Sequence, residues 1–368
     1  MPENICVIGC GFSGAISARI LAEAGYQVHI FEKRNHIGGN AYDKIDENGI
    51  VIHPYGPHIF HTNNKRVFKF LSKFTTWRFY EHEVLAYVDG KEVPIPINRV
   101  TLSEIYGKDF TEKGAKLYFS ENAVKITNIR NSEDNVLASV GEDLCDKIFR
   151  GYTRKQWGMD LADLDASVAA RIPTRTNDDC RYFVDDFQFI PANGYTALFE
   201  KILDHRNISI NLNTDYFDHR DSNNYMHTIY SGPIDKYFDY QFGKLEYRSL
   251  NFKHTYIPNL NYYQKVGTIN YPNEYDYTRI TEFKHITGQK CTGTSIVKEF
   301  PKSHGDPYYP VPRPRNNKVY TEYYDLAKLE QDVTFIGRLA QYKYYNMDQV
   351  IASSISKTNI LIEQLKKS

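Results

Sequence analysis

Gly9, Gly11 and Gly14 stand in the order G-x-G-x-x-G, immediately after the apolar run Ile5, Cys6, Val7, Ile8 and ahead of a helical pattern over residues 15–24. A second apolar run at 28–31 ends in Glu32, eighteen residues beyond Gly14. This is the spacing of a βαβ unit that grips a dinucleotide. Gly9 permits a tight turn, Gly11 lets backbone approach a pyrophosphate, and Gly14 lets the helix pack closely on the strand. The helix N-terminus then presents N–H groups and the positive end of its dipole to phosphate. Glu32 can accept hydrogen bonds from ribose hydroxyls and would repel a 2′-phosphate, which disfavours NADP. A glycine-rich turn with no ligand would need none of the strand, helix, second strand and acidic end that agree here.

Residues 33–40, KRNHIGGN, place a Gly38-Gly39 pair just past that carboxylate. The arrangement resembles the extended FAD fingerprint of flavoproteins related to amine oxidases, in which the added loop runs beside the ribityl chain and phosphate. The resemblance implies FAD in preference to NAD. It extends the cofactor contacts to Phe12, Ser13, Lys33, Gly39 and Asn40.

A chain of 368 residues accommodates two or three domains around a substantial core. Its 45 basic and 45 acidic residues cancel, so no field favours nucleic acid or an anionic membrane. The five cysteines, at 6, 10, 145, 180 and 291, show no metal-type spacing, and no metal is expected. Those at 6 and 10 lie in or beside the first strand, where Cys acts as a small hydrophobe. The opening apolar run is only a strand long, so neither a signal peptide nor a membrane span is expected, and a reducing cytoplasm fits.

Residues 53–62, HPYGPHIFHT, form an irregular turn carrying His58 and His61; taken alone, such histidines are explained by bonds to backbone. A helix is expected over 63–74. A hairpin follows over 84–97, turning at Asp89-Gly90, with Pro94 and Pro96 marking an edge. From 98 to 170 the periodicity is helical, with Leu137, Val140, Leu144, Ile148 and Phe149 on one face. Strands are expected at 181–190, 207–212, 227–230, 248–256, 267–271, 278–283 and 295–300. A helix over 196–204 interrupts them after Asn193-Gly194. A proline-rich link through Pro314 leads to a helix near 318–330 and a strand at 333–336. A last helix from Asn346 shows Val350, Ile351, Ser354, Ile355, Thr358 and Leu361 on one face. The fold class is α/β, a Rossmann-like unit returning at the chain's end. In FAD proteins of this topology the final helix points its N-terminus at the flavin and stabilises negative charge there; a generic C-terminal αβ unit explains the pattern equally well.

These motifs together resemble the UDP-galactopyranose mutase family, flavoenzymes that interconvert pyranose and furanose forms of a nucleotide sugar. The matching strings are HIGGN at 36–40, YGPHIFHT at 55–62, GYTRKQWGM at 151–159, RIP at 171–173 and YSGP at 230–233. They continue with YTRITE at 277–282, PYYP at 307–310, and FIGRL at 335–339 leading to Tyr344. The resemblance implies a discontinuous FAD-binding domain (1–76, 191–230 and 318–368). It implies an inserted helical subdomain with a mobile substrate loop (98–170). It also implies a six-stranded antiparallel sheet domain (77–97, 171–190 and 231–317).

Ring contraction requires the anomeric bond to the nucleotide to break, the ring to open, and a different hydroxyl to close it. In this family N5 of reduced FAD attacks the anomeric carbon and the nucleoside diphosphate leaves, so the protein must hold the diphosphate for its return. Arginines suit that task, and Arg171 and Arg279 match the family's phosphate-holding pair. Tyr152 and Trp157 match aromatics that meet the uridine and the closing loop, although a Trp packed at a helix end reads equally well. Tyr182, Tyr309 and Tyr344 match tyrosines around diphosphate and sugar, with Asn270 beside them. His58 and Ile59 match positions beside the flavin, as do Arg338, Tyr344, Asn346 and Met347. Arg171, Arg279 and His58 are the residues expected to carry catalysis. Two departures bear on the sugar: Asn346 stands where relatives often carry Asp, and His82 where they often carry Asn.

The resemblance further implies an external reductant for the flavin, a homodimer, and a place in cell-surface polysaccharide synthesis. The other readings are an FAD-dependent oxidoreductase of the amine-oxidase type and a flavin-containing redox sensor without turnover. Oxidising an amine needs no diphosphate clamp, so Arg171 and Arg279 discriminate.

Overall fold

A computed structural model describes residues 4–218 and 225–367. Five parallel strands form one sheet in the order Ile208–Asn211, Gln27–Phe31, Asn4–Ile8, His227–Tyr230, Val333–Phe335. The central strand shows why a short apolar run suffices. Ile5 and Val7 face a core shared with the helices Phe12–Glu23, Gly194–Leu203 and Met347–Leu365. Cys6 and Ile8 face an aromatic core of Tyr230, Tyr237, Tyr323 and Phe335 on the other side. Successive residues alternate faces and both faces are covered, as a parallel sheet demands.

The last helix buries Val350, Ile351, Ser354, Ile355, Thr358 and Leu361, the face its spacing predicts. It packs on the first helix, where Thr358 Oγ1 donates to Ser17 Oγ at 2.9 Å. Each fully buried Ile or Leu there contributes roughly 1.5–3 kcal/mol, which fixes the N-terminus of this helix against the site described below.

The second sheet has seven strands where six were expected. Its order is Tyr309–Pro310, Tyr247–Ile257, Thr294–Lys302, Arg279–Glu282, Thr268–Asn270, Val84–Val88, Lys91–Ile95. The added strand is the two-residue edge Tyr309–Pro310, which pairs with Tyr247 and Arg248. Its sequence had suggested only a link, because proline is tolerated in a ladder only at such an edge. The sheet is also not wholly antiparallel, since Thr268–Asn270 runs parallel to Val84–Val88. The hairpin carrying the latter turns at Asp89 and Gly90, both at positive φ, as a two-residue turn requires.

Helices Arg99–Tyr106, Glu112–Asn122 and Ser132–Val140 follow, then a near-continuous run through Glu142–Leu144, Cys145–Arg150 and Gly151–Trp157. Asn98, Thr111 and Asn131 side chains accept first-turn N–H groups and start the three longer helices. Leu102, Phe119, Val136, Val140 and Leu144 pack with Val84 and Val93, seating the helices on the hairpin. The Cys145–Arg150 turn is π-helical, a form common beside functional sites.

Three local expectations are corrected. The strand expected over 181–190 is confined to Phe187–Pro191, which lies between Phe60–Thr62 and Trp77–Phe79 in a three-stranded sheet. Arg181 is instead held by ion pairs to Asp179 and Glu81, which tie residues 181–186 into a loop. The helix expected near 318–330 is Pro314–Ala327, because a proline at the first helical position starts a helix instead of ending a link. The helix expected over 63–74 is Lys65–Leu71, capped by Asn64.

Candidate active site

A cavity of about 630 Å³ opens above the carboxyl ends of the parallel strands, and one of about 250 Å³ adjoins it; both are walled by His58, Arg338 and Met347. The larger contains Gly9, Gly11, Phe12, Ser13, Glu32, Lys33, Gly39 and Asn40 in its wall. The backbone there is close-set: a Cβ on Gly39 would lie 2.9 Å from Gly11 Cα, and one on Gly14 would collide with the Gly9 carbonyl. Gly14 therefore packs helix on strand and does not reach the cavity. Gly11 begins the first helix with no side-chain cap, leaving its first N–H groups turned to the cavity wall. Glu32, 5% exposed, accepts from Cys10 N (2.8 Å) and Arg34 N (2.9 Å), which fixes its carboxylate at the rim. Lys33 and Arg34 reach out to Asp306, and Asn40 Oδ1 accepts from Arg34. An uncapped helix start, a glycine cradle and a carboxylate at ribose distance along the chain fit an adenine dinucleotide.

The smaller cavity gathers His58, Ile59, His82, Tyr152, Arg171, Tyr182, Asn270, Arg279, Tyr309, Arg338, Tyr344, Asn346 and Met347 in its wall. Trp157 is the exception among the expected substrate contacts. It is 5% exposed and lies behind the wall, edge-on to Tyr344 at 5.6 Å and tilted to Tyr309 at 6.4 Å. There it props two tyrosines that themselves meet edge to face at 5.2 Å.

Arg279 lies directly opposite Glu299 across two antiparallel strands, its Nε 3.4 Å from Glu299 Oε2, while its Nη2 donates to Tyr152 Oη at 2.8 Å. Burial works against the guanidinium charge, yet Glu299 and the tyrosines around it hold Arg279 well above its ordinary value. Glu299 is raised by burial, with Arg279 opposing. Glu299 Oε1 and Asn270 Oδ1 are buried without a hydrogen-bond partner among the described residues, so polar capacity is left over at this wall. Glu299 was not singled out from the sequence. The signal was the alternation that puts it with buried Val297 on the inward face of its strand.

Arg171 reaches in from the loop side, stacked over the Tyr344 ring at 4.1 Å and donating to Asn346 Oδ1. Arg338 donates to the carbonyls of Tyr308 and Tyr345, which sets its side chain between the cavities. Burial raises the phenols of Tyr152, Tyr182 and Tyr309, so all three remain O–H donors. His58 is driven down to about 3 by burial, then by His53. Its Nδ1 donates to the Gly56 carbonyl at 2.9 Å, so the neutral ring keeps its lone pair on Nε2. His82 is likewise pushed to about 3 by burial and by Arg279, and its Nδ1 meets Tyr80 Oη at 3.0 Å. His61, against Asp185 at 2.7 Å, also lines this cavity.

A parallel Rossmann sheet, an adjoining mixed sheet, and a cation-and-phenol cavity walled partly by the dinucleotide cradle define an α/β enzyme of the dinucleotide-binding class. Residues 7–74 match the NAD(P)-binding Rossmann-like domain, and residues 147–344 match the family described as UDP-galactopyranose mutase. A probable UDP-galactopyranose mutase from Klebsiella pneumoniae is 39% identical over 96% of this chain and 93% of its own. A dTDP-fucopyranose mutase from Escherichia coli is also 39% identical, over 99% of this chain and all of its own. A crystal structure of a reduced UDP-galactopyranose mutase superposes with a TM-score of 0.81 over 99% of this chain and 94% of that one, at 16% identity. The chain belongs to the UDP-galactopyranose mutase family and is an isomerase, a sugar mutase, as its motifs had implied.

Proposed function

We propose that the protein interconverts the pyranose and furanose forms of a nucleotide-linked hexose, using reduced FAD held in the larger cavity. The observation that carries this reading is the convergence of Arg171 and Arg279 with Tyr152, Tyr182, Tyr309 and Tyr344 on a cavity that shares a wall with the dinucleotide cradle. Reduced FAD, when bound, supplies the N5 nucleophile for the anomeric carbon.

The chain's own residues do the rest. Arg279, pre-aimed by Glu299, and Arg171, placed over Tyr344 beside Asn346, clamp the departing diphosphate so that it stays to recombine. Protonated Tyr152, Tyr182 and Tyr309 donate to diphosphate and sugar oxygens, and Tyr344 lines the same wall. His58, with Nδ1–H committed to Gly56, stays neutral and offers an Nε2 lone pair beside Arg338 that can accept a hydrogen bond from a bound group. Trp157 keeps Tyr309 and Tyr344 upright and water out. An amine oxidase would have no use for the two arginines.

Asn346 and His82 bear on which sugar is taken. The two relatives at 39% identity carry different substrates in their names, UDP-galactopyranose and dTDP-fucopyranose, so overall likeness favours neither. Asn346 accepts from Arg171 without pairing its charge, and buried His82 replaces a short amide with a ring. Both changes suit a hexose with an altered substituent, 6-deoxy or N-acetyl. Comparing kcat/KM over UDP- and dTDP-linked galactose, N-acetylgalactosamine and fucose tests this; clear preference for UDP-galactose would refute the altered sugar and leave the mutase reading standing. Family resemblance alone supports an external electron donor, a homodimer, cytoplasmic cell-surface polysaccharide synthesis and the three-domain division given above.

A further inference from the structure

Helix Gly151–Trp157 carries Tyr152 into the smaller cavity, and strand Arg279–Glu282 carries Arg279. The two belong to different parts of the fold, yet Tyr152 Oη and Arg279 Nη2 must meet within a hydrogen bond. Lys155 lies on that helix with its ammonium among main-chain carbonyls of one loop. It donates to Glu274 O (3.0 Å), Tyr275 O (3.3 Å), Tyr277 O (3.2 Å) and, most closely, Tyr271 O. That loop joins Thr268–Asn270 to Arg279–Glu282, so it brackets both Asn270 and Arg279.

Two further contacts fasten the same elements. Asn273 Nδ2 donates to Lys147 O at 2.9 Å, and a Cβ on Gly151 would crowd Pro272 O at 2.6 Å, so the helix start lies flat on the loop. At the helix end Arg248 donates to Gln156 O (2.8 Å) and Lys155 O (3.2 Å). Burial draws Lys155 down to about 8, with the carboxylates of Glu274 and Asp276 opposing, so the group is a cation at neutral pH. Four carbonyl oxygens around one nitrogen favour the ammonium, whose three N–H groups satisfy more of them than the two of a neutral amine.

We infer that Lys155 is a positioning residue for the mutase reaction: its ammonium pins the 271–277 loop to the Gly151–Trp157 helix and thereby sets Tyr152 against Arg279 for the diphosphate. The inference rests on the reading that these two side chains bind substrate. A misplacement of about 1 Å in such a pair costs on the order of a hundredfold, whereas the wall of the larger cavity does not include Lys155.

The test compares Lys155→Met, Lys155→Arg and Arg279→Ala with the unaltered protein for UDP and dTDP dissociation constants, KM, kcat and flavin content. Lys155→Met is expected to weaken nucleotide binding and raise KM by roughly ten- to a hundredfold, with kcat changed less and flavin content unchanged. Lys155→Arg, which keeps the charge and the donors, is expected to recover most of the loss. Normal nucleotide binding and KM in Lys155→Met, while Arg279→Ala is impaired, would overturn the inference and leave the proposed function standing. Impairment that tracks flavin loss, or that arginine leaves unrescued, would also overturn it. Full activity in Arg279→Ala would instead remove the substrate reading on which it rests.

Discussion

Replacing Arg279 by alanine separates two roles of one side chain. The guanidinium is proposed to hold the diphosphate, and each charge-assisted bond to phosphate contributes roughly 1.5–3 kcal/mol. The loss in kcat/KM should therefore be on the order of ten- to a hundredfold per bond. The same substitution leaves Glu299, 2% exposed, without its cation. A buried group left unsatisfied costs roughly 1–3 kcal/mol. The Glu299 carboxyl already stands above its ordinary value because of burial, and Arg279 is what opposes the rise. With Arg279 gone the folded protein holds that proton more tightly than the unfolded chain, so stability falls as pH climbs from the unfolded carboxylate value toward the folded one. Arg279→Ala/Glu299→Gln removes the stranded charge. It should regain stability at pH 7–8 while remaining as inactive as the single variant. Denaturant midpoints at several pH values and turnover of the reduced protein read the two effects separately. A single variant as stable as the double at pH 8, or wild-type turnover in either, would refute the reasoning.

Gly14→Ala places a methyl group against the Gly9 carbonyl, so the protein should lose bound flavin; full flavin occupancy would contradict the cradle. His53, His58 and His82 are held neutral by burial, at about 4, 3 and 3. The unfolded chain takes up protons first as pH falls below its ordinary histidine value, so stability should decline from about pH 6.5 downward. His82→Asn should flatten that decline in pH-dependent denaturant midpoints; an unchanged slope would show that His82 does not contribute. Asn346→Asp gives Arg171 a charged partner in place of a neutral one. It should raise KM and move sugar preference toward UDP-galactose, and an unchanged ranking across the sugar panel would dismiss Asn346 as a determinant.

Local pattern carried the dinucleotide unit almost whole. Strand, glycines, helix and Glu32 lie within thirty-odd residues, and their geometry follows from chain-neighbour constraints. The last helix was legible for the same reason, since Val350 to Leu361 keep one face at helical spacing. The arginine pair was legible only through the family strings, because Arg171 and Arg279 come to the wall of one cavity through tertiary structure. Glu299 was missed because alternation along its strand marks it only as inward-facing, while its pairing with Arg279 lies in a cross-strand register. Trp157 matches a substrate position by its motif, and its indole props Tyr309 and Tyr344 from behind. An aromatic at a helix end looks alike in either role. Overextended elements failed at their ends: ion pairs of Arg181 hold 181–186 in a loop, and Pro314 begins a helix that proline content had pushed later.

In the proposed reaction reduced flavin serves as a nucleophile that is regenerated and not as a reductant that is spent. The direct measurement is NMR of UDP- and dTDP-linked hexopyranoses incubated with dithionite-reduced protein, excess reductant removed, against the same protein oxidised. Furanose signals are expected to accumulate over many turnovers per flavin in the reduced sample only, with the flavin still reduced at the end. Equal rates with oxidised protein, or one product per flavin with the flavin left oxidised, would contradict it.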